Sequence, residues 1–353
     1  MPRLVAGIDC STQSTKVVLV DPETGAIEAS AHAPHVVTGE GGARETDPEQ
    51  WWDALRQAFA ASGRASDVAA LSVAGQQHGL VVLDAGGRVL RPATLWNDTR
   101  SAPDAERLVE LLGGPAASAS QVGSVPVASF TATSWLWLRR VEPELAARVA
   151  RVRLPHDFMT ERLSGEGVTD RGDASGTGWW SPFDERYDEQ VLELIELDPA
   201  ALPRVLGPRG QAGTLRDAAA ANLGVPAGAL VACGTGDNMG AALGLGVAPG
   251  VPVVSLGTSG TAFAVSTTPS ADPTGVVAGF ADATGRYLPL ACTLNCTLAV
   301  DRIAGWLGLD RDAVEDGGEV VVLPFLDGER TPNRPHASGT ITGLRHATTP
   351  GQI

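Results

Sequence analysis

The stretch LVAGIDCSTQSTKVVLV, residues 4–20, reads as strand, polar turn, strand. LVAGID is short, apolar and partly β-branched, the composition of a buried strand. CSTQST interrupts it with small hydroxyl side chains, and KVVLV at 16–20 resumes the apolar run. The turn signal DPETG at 21–25 and the segment AIEASAHAP after it extend the pattern to three consecutive antiparallel strands joined by tight turns. Asp47 is a good helix N-cap and Pro48 suits the first helical position. Trp51, Leu55 and Phe59 then recur every four residues as a buried stripe. VAALSVAG at 68–75 is a further buried strand, and HGLVVLDAGGRVL reads as strand, turn and strand.

The same pattern returns after residue 250. VPVVSLG at 251–257 is an apolar strand, TSGT at 258–261 a polar turn, and AFAVST a second strand. GVVAGFADATGRYLPLAC reads as two more strands around a turn. Two copies of one pattern predict two similar domains, residues 1–245 and 246–353, facing each other across a cleft, a common place for a ligand. The region between is more helical. DAERLVELLGG (104–114), ATSWLWLRRVEPELAARVARV (132–152) and DEQVLELIEL (188–197) carry apolar residues at three- and four-residue spacing. LRDAAAANLGVPAG is a helix that stops at Gly224, with Pro226 beyond it.

The chain has 353 residues, 43% hydrophobic and 19% charged, an ordinary globular composition with room for two domains. Its net charge of −15 argues against non-specific binding to nucleic acid or to an anionic membrane, both of which need a positive field. Lys16 is the only lysine among the basic residues. The four cysteines, Cys10, Cys233, Cys292 and Cys296, are too few and scattered for a disulfide framework. Cys292 and Cys296 have no further ligand at metal spacing, which favours free thiols in a reducing compartment. There is no signal-peptide pattern and no run of about 18 apolar residues, so the expected location is the cytoplasm.

Several stretches carry groups that could do chemistry. In GIDCSTQSTK an acid, Asp9, ends a strand, and hydroxyls and backbone N–H groups follow that can surround a phosphate. Asp9 could hold Mg²⁺, and Lys16 could reach the phosphates. An ordinary β-turn explains the same residues equally well. SLGTSGT repeats the logic: Gly257 permits close backbone approach, and Thr258, Ser259 and Thr261 supply hydroxyls. Two such turns in corresponding places can grip a polyphosphate from both sides. Gln77 and His78 follow a buried strand, and LWNDTRS adds Trp96, Asn97, Asp98 and Arg100. Amide, imidazole, carboxylate and indole suit a polyol, though structural hydrogen bonding accounts for each one singly. LPHDFMTERLSGEGVTDRGDASGTGWW (154–180) is dense in polar residues, which predicts loop around a site, with Asp173 its most interesting member beside a simple Asx-turn role. CGTGDNMGAALG (233–244) sets Asp237 and Asn238 among glycines, a bare loop in which a carboxylate can be approached closely.

GIDCSTQSTK, WNDTR, DASGT, GTGDNMGAALG, LGTSGT and LPFLDGERTP occur in the order found in the FGGY carbohydrate kinases, and the sequence resembles that family from residue 4 to its last residue. The resemblance implies an α/β fold of two actin-like (ribonuclease-H-like) domains, with ATP and sugar in the cleft between them. It implies transfer of the ATP γ-phosphoryl group to a sugar hydroxyl, with Asp237 in the place of the catalytic base. It sets Asp9 near Mg²⁺ and phosphates, with Thr12, Gln13, Lys16, Gly257, Thr258 and Thr261 toward the nucleotide. Gln77 and His78 match the substrate-binding pair, with Trp96, Asp98 and Asn238 beside them. The glycerol-specific branch has an Arg-Glu pair there, so Gln-His favours a ketopentose, D-xylulose, and GERTP at 328–332 points the same way. Ribulose, gluconate and glycerol are the competing acceptors, and a sugar-binding protein without catalysis is the competing class. A homodimer is compatible with all of these. SFTATSWLWLRRV (129–141) resembles the family's mid-chain signature, with Ser134 where the family has lysine. GTITGLRHATTPGQI, from Gly339, resembles the opening of a second signature and ends inside it. The expectation is a first domain complete and a second one lacking its adenosine-binding segment.

Overall fold

A computed structural model describes residues 3–128 and 130–353; Ser129, the first residue of the mid-chain signature, lies outside the described residues. Its organising element is a mixed sheet built on the opening stretch. Strands β1 (Leu4–Cys10), β2 (Ser14–Val20) and β3 (Ile27–Pro34) pair antiparallel in sequence order, Asp9 facing Lys16 across the first hairpin. Strand β4 (Val68–Gly75) returns parallel to β1. Strand β5 (Gln211–Thr214) pairs antiparallel with β6 (Leu230–Ala232), and both β6 and the short β7 (Thr235–Gly236) lie parallel to β4. The order is β5-β6-β4-β1-β2-β3, with β7 also on β4.

Helix α1 (Pro48–Ser62) begins as its sequence requires. The Asp47 side chain accepts the Glu49 N–H, and Gly63 ends the helix at φ 67°. Its stripe, Trp51, Leu55 and Phe59, is fully buried against the sheet and joins Phe158 and Leu163 from a later helix in the main core. A second core gathers Trp135, Trp137, Trp179 and Trp180 around the middle helices.

Two expectations for that middle region need correction. The periodic run 132–152 is not one helix. α2 (Thr131–Val141) stops at Glu142, because Pro143 has no N–H to continue the ladder, and residues 151–153 form a strand. The segment 154–180 is not an open loop. It folds as α3 (Pro155–Ser164), a strand Val168–Asp170 and α4 (Arg171–Ala174), nearly all of it buried. Its carboxylates bind the local backbone: Asp170 accepts the Gly172 and Asp173 N–H groups at 2.9 Å each, and Asp157 accepts the Leu154 N–H at 2.9 Å. Polar density here marks an internal network, not solvent.

The second sheet repeats the hairpin logic. β8 (Pro252–Leu256) and β9 (Gly260–Ala264) are antiparallel; β10 (Ala278–Ala281) and β11 (Tyr287–Thr293) follow, in the order β8-β9-β11-β10. β10 docks on the first region: the Ala281 N–H donates to Ser175 Oγ at 2.8 Å and the Gly279 N–H to the Gly123 carbonyl at 2.9 Å. Phe263, Phe280 and Leu290 pack there with Phe130 and Met239. Among the described residues no helix is long and apolar enough to cross a membrane.

Candidate functional site

Three parallel strands deliver the candidate residues. β1 ends beside β4, Cys10 opposite Gly75, and β7 ends beside the same point, Gly236 opposite Gly75. Asp9, the Gln76–His78 run and Asp237 therefore emerge together at the carboxyl ends of adjacent strands, where open α/β sheets bind ligands. The second sheet closes over them. A cavity of about 220 Å³ lies between, with Thr12, Gln77, His78, Trp96, Asp237 and Asn238 on one wall and Gly257, Thr258, Ser259 and Thr261 on the other. A larger surface groove of about 710 Å³ shares no residue with this cleft, and its Arg88, Arg91, Arg151 and Arg162 are all ion-paired within the protein.

Asp237 is not in a flexible loop, as its glycine neighbours had suggested. It is the first residue of helix α5 (Asp237–Gly244), with Gly236 at the cap. The glycine is needed because a Cβ at Gly236 would meet Gln77 Cγ at 2.8 Å. One carboxylate oxygen, Oδ1, accepts the Asn238 N–H at 2.7 Å and Asn238 Nδ2 at 2.8 Å. Asn238 Nδ2 also reaches Gln77 Oε1 at 3.2 Å, so the amide pair orients the acid. Burial, reinforced by the nearby Asp9 charge, pushes the Asp237 carboxyl up to about 7. A carboxyl tuned to that range suits a proton acceptor near neutral pH.

His78 occupies the left-handed region at φ 67°, which is uncommon for a side-chain-bearing residue and typical of constrained sites. Nδ1 lies 2.7 Å from the Gly176 carbonyl, which only accepts, so Nδ1 carries the proton and Nε2 is left as an acceptor. Burial and the Arg330 charge hold its pKa down at about 3, so the ring is neutral. It stacks on Phe130 at 4.7 Å and touches Phe280 at 5.5 Å. Gly176, in DASGT, leaves room for it, since a Cβ would come within 2.7 Å of the ring. Trp96 Nε1 donates to Thr12 Oγ1 at 2.9 Å, tying the first polar turn to the cleft wall.

Other candidates lie outside the lining. Asp98 is buried in an ion-pair cluster, 2.6 Å from Arg100 and accepting the Arg44 N–H at 2.9 Å. Gln13 and Lys16 are exposed on the β1–β2 hairpin. Asp9 is half-buried and accepts the Ser11 hydroxyl at 2.6 Å. Arg330 carried no assigned role in the sequence, yet its guanidinium lines the cleft, 3.4 Å from His78 Nε2 and 5.4 Å from the Phe130 ring centre. Its place inside LPFLDGERTP was the available signal. The four cysteines are free thiols.

The structure also bears on which groups the cleft can hold. Gln77 Nε2 and Thr261 Oγ1 are buried in it without a partner among the described residues, polar atoms that a ligand would satisfy. Gly257 and Thr258 leave their turn exposed, a concavity of backbone and hydroxyl that fits phosphate.

Residues 4–244 match the model of the N-terminal domain of the FGGY family of carbohydrate kinases. The chain belongs to that family, and its mixed α/β architecture is the actin-like ATPase fold. It is similar to the xylulose kinase of Streptomyces coelicolor, 63% identical over 353 residues, 99% of this chain and 72% of that protein. The xylulose kinase of Streptomyces rubiginosus is 62% identical over 351 residues, again 99% of this chain and 72% of the relative. Among solved structures, the xylulose kinase of Bifidobacterium adolescentis is 40% identical with a TM-score of 0.81, covering 99% of this chain and 78% of that one.

Proposed function

We propose that this carbohydrate kinase transfers a phosphoryl group from ATP to D-xylulose. The observation that carries the reading is the joining of Gln77, His78, Asp237 and Asn238 in one cleft, in a chain 62–63% identical to two xylulose kinases. The cleft wall offers a neutral imidazole, an amide N–H without a partner among the described residues, an indole and the Phe280 ring, a set suited to a small polyol. Asp237 takes the proton from the attacking sugar hydroxyl as the new phosphate ester bond forms and the bond from the γ-phosphorus to the β–γ bridging oxygen breaks, with ADP as the leaving group. The Thr12 turn and the Gly257–Thr261 turn face the phosphate chain from opposite walls, and Asp9 is the carboxylate suited to Mg²⁺. The nucleotide, when bound, supplies the phosphoryl group, and magnesium offsets its charge. Closure of the second sheet on the first would exclude water that could otherwise accept that group. The same reading divides the chain at 245/246 into a sugar-binding and a phosphate-binding part and places it in the cytoplasm.

The test is ATP-dependent phosphorylation measured on D-xylulose beside D-ribulose, gluconate and glycerol. D-xylulose is expected to have the highest kcat/KM. Asp237→Asn is expected to lose about 10²–10⁴-fold in kcat. An Asn variant with near-normal turnover would remove Asp237 as the base.

A further inference from the structure

Between β6 and β7 the chain leaves the ladder of β4 for three residues, Ala232, Cys233 and Gly234. Gly234 sits at φ 77°, and a Cβ there would lie 2.4 Å from the Val73 carbonyl oxygen and 2.7 Å from His156 Cδ2. Only glycine fits, and the atoms that exclude other residues belong to β4 and to His156. The kink stands three residues before Asp237.

His156, on α3, is completely buried. Its Nδ1 is 2.7 Å from Asp173 Oδ2, and its Nε2 is 3.1 Å from the Cys233 carbonyl oxygen. A carbonyl cannot donate, so Nε2 carries a proton. Burial pushes the Asp173 carboxyl up to about 7, and above that pH, where it is ionised, Nδ1 must carry the second proton, which makes the ring an imidazolium. Burial alone would discourage that charge, but Asp157, Asp173 and Asp170 surround the ring and raise its pKa to about 10. Asp170 also accepts the Thr235 hydroxyl at 2.8 Å while capping α4. The kink and the strand that follows it are thus held from both sides by one buried network, none of whose acids lines the cleft. His156, Asp157 and Asp173 have ligand atoms within 4.8 Å of one another, a spacing that could hold a metal ion. A doubly protonated ring has no lone pair for a metal, and here it supplies the positive charge itself.

We propose that His156, locked as an imidazolium between Asp173 and the Cys233 carbonyl, is a positioning residue that fixes the kink and so sets where Asp237 meets the sugar hydroxyl. The inference rests on Asp237 being the base. Asp173→Asn removes the ionised partner of Nδ1 while preserving shape, but the substituted amide can donate to Nδ1 once that proton is lost, which leaves Nε2–H on the Cys233 carbonyl. His156→Leu leaves that carbonyl with no ring donor and tests the kink directly, and His156→Gln, whose amide can still donate, is the conservative rescue.

The test pairs ring ¹⁵N NMR with kinetics on the full chain. The wild-type His156 resonance, assigned with His156→Gln, is expected to show two protonated nitrogens near pH 8, and Asp173→Asn to show one. Releasing the Cys233 carbonyl, and so misplacing the base by a fraction of an ångström to an ångström, predicts a loss of about 10–100-fold in kcat for His156→Leu, with smaller losses for Asp173→Asn and His156→Gln. KM for D-xylulose should stay within about threefold, since the sugar-binding wall is untouched. A wild-type ring with one bare nitrogen near pH 8, or a folded His156→Leu variant with undiminished kcat, would overturn the proposal. Zinc-induced loss of one ring proton would overturn it in favour of a metal site. Failure of the base assignment reads out separately, as an Asp237→Asn chain that keeps its turnover while the His156 resonance is unchanged.

Discussion

The two sheets begin with the same hairpin and end in opposite environments. In the first, β1 is central, flanked by β4 and β2, and α1 seals one face with Trp51 at 0% exposure. In the second, β10 is held to the first region by its backbone N–H groups, which donate to Ser175 Oγ and the Gly123 carbonyl, while the outer strand β8 leaves Val254 and Leu256 at 65% and 72% exposure. Helix Thr297–Leu307 beside it shows Trp306 at 67%. Similar apolar strands thus carry different energetic weight: stability belongs to the face that is covered, and the cleft lies where the second sheet meets the first.

The comparison can be broken most directly through matched aromatic truncations. Trp51→Ala is expected to cost about 3–5 kcal/mol in urea unfolding, and Trp306→Ala less than about 0.5. Equal costs would mean that the second region is as well covered as the first. Phe280→Ala, at the docked edge of the second sheet, should cost about 3 kcal/mol and also raise KM for the sugar, because Phe280 touches His78. A stability loss with KM unchanged would separate the interface from the sugar wall.

A smaller effect sharpens the role of the cleft floor. The Asp237 carboxyl is raised from 3.8 to about 7, chiefly by burial. An acid raised in the folded state stabilises it most below the unfolded value, and that contribution is lost as pH rises through the folded one. Asp237→Asn should therefore be more thermostable than the wild type near pH 8, with the gap shrinking as the pH is lowered toward 5 in paired melting curves. Wild-type turnover has the opposite slope and should fall as pH drops below about 7, since the base must be ionised. A pH-independent gap in melting temperature would mean that the carboxyl is not desolvated. The smallest effect is expected for Leu256→Ser on the bare strand, within about 0.5 kcal/mol by thermal melting.

Local chemistry made much of this readable along the chain. Strand alternation in β1–β3, the Asp47 cap, the Trp51 stripe and the Gly224 stop are short-range effects, set by side-chain pattern and backbone preference within a few residues. The family motifs likewise lie in sequence order, so the two turns and the Asp237-Asn238 pair could be picked out without a structure. Two misreadings share one cause. The glycines around Asp237 looked like looseness and the polar residues of 154–180 looked like solvent exposure, because partners 60 or more residues distant are invisible to a local reading: His156 finds Cys233, and Asp170 finds Thr235. Asp98 looked like a ligand and is held by Arg100 and Arg44, whereas Arg330 carried no assigned role and enters the cleft.

The sequence by itself thus determined the elements, the family and the types of group available for the chemistry. Only the tertiary structure decided which of them share the cleft, which carboxyls are pushed up to about 7, and which glycine exists to admit a buried imidazole. Desolvation and long-range hydrogen bonding depend on what the fold packs around a residue, and no window of sequence contains that information.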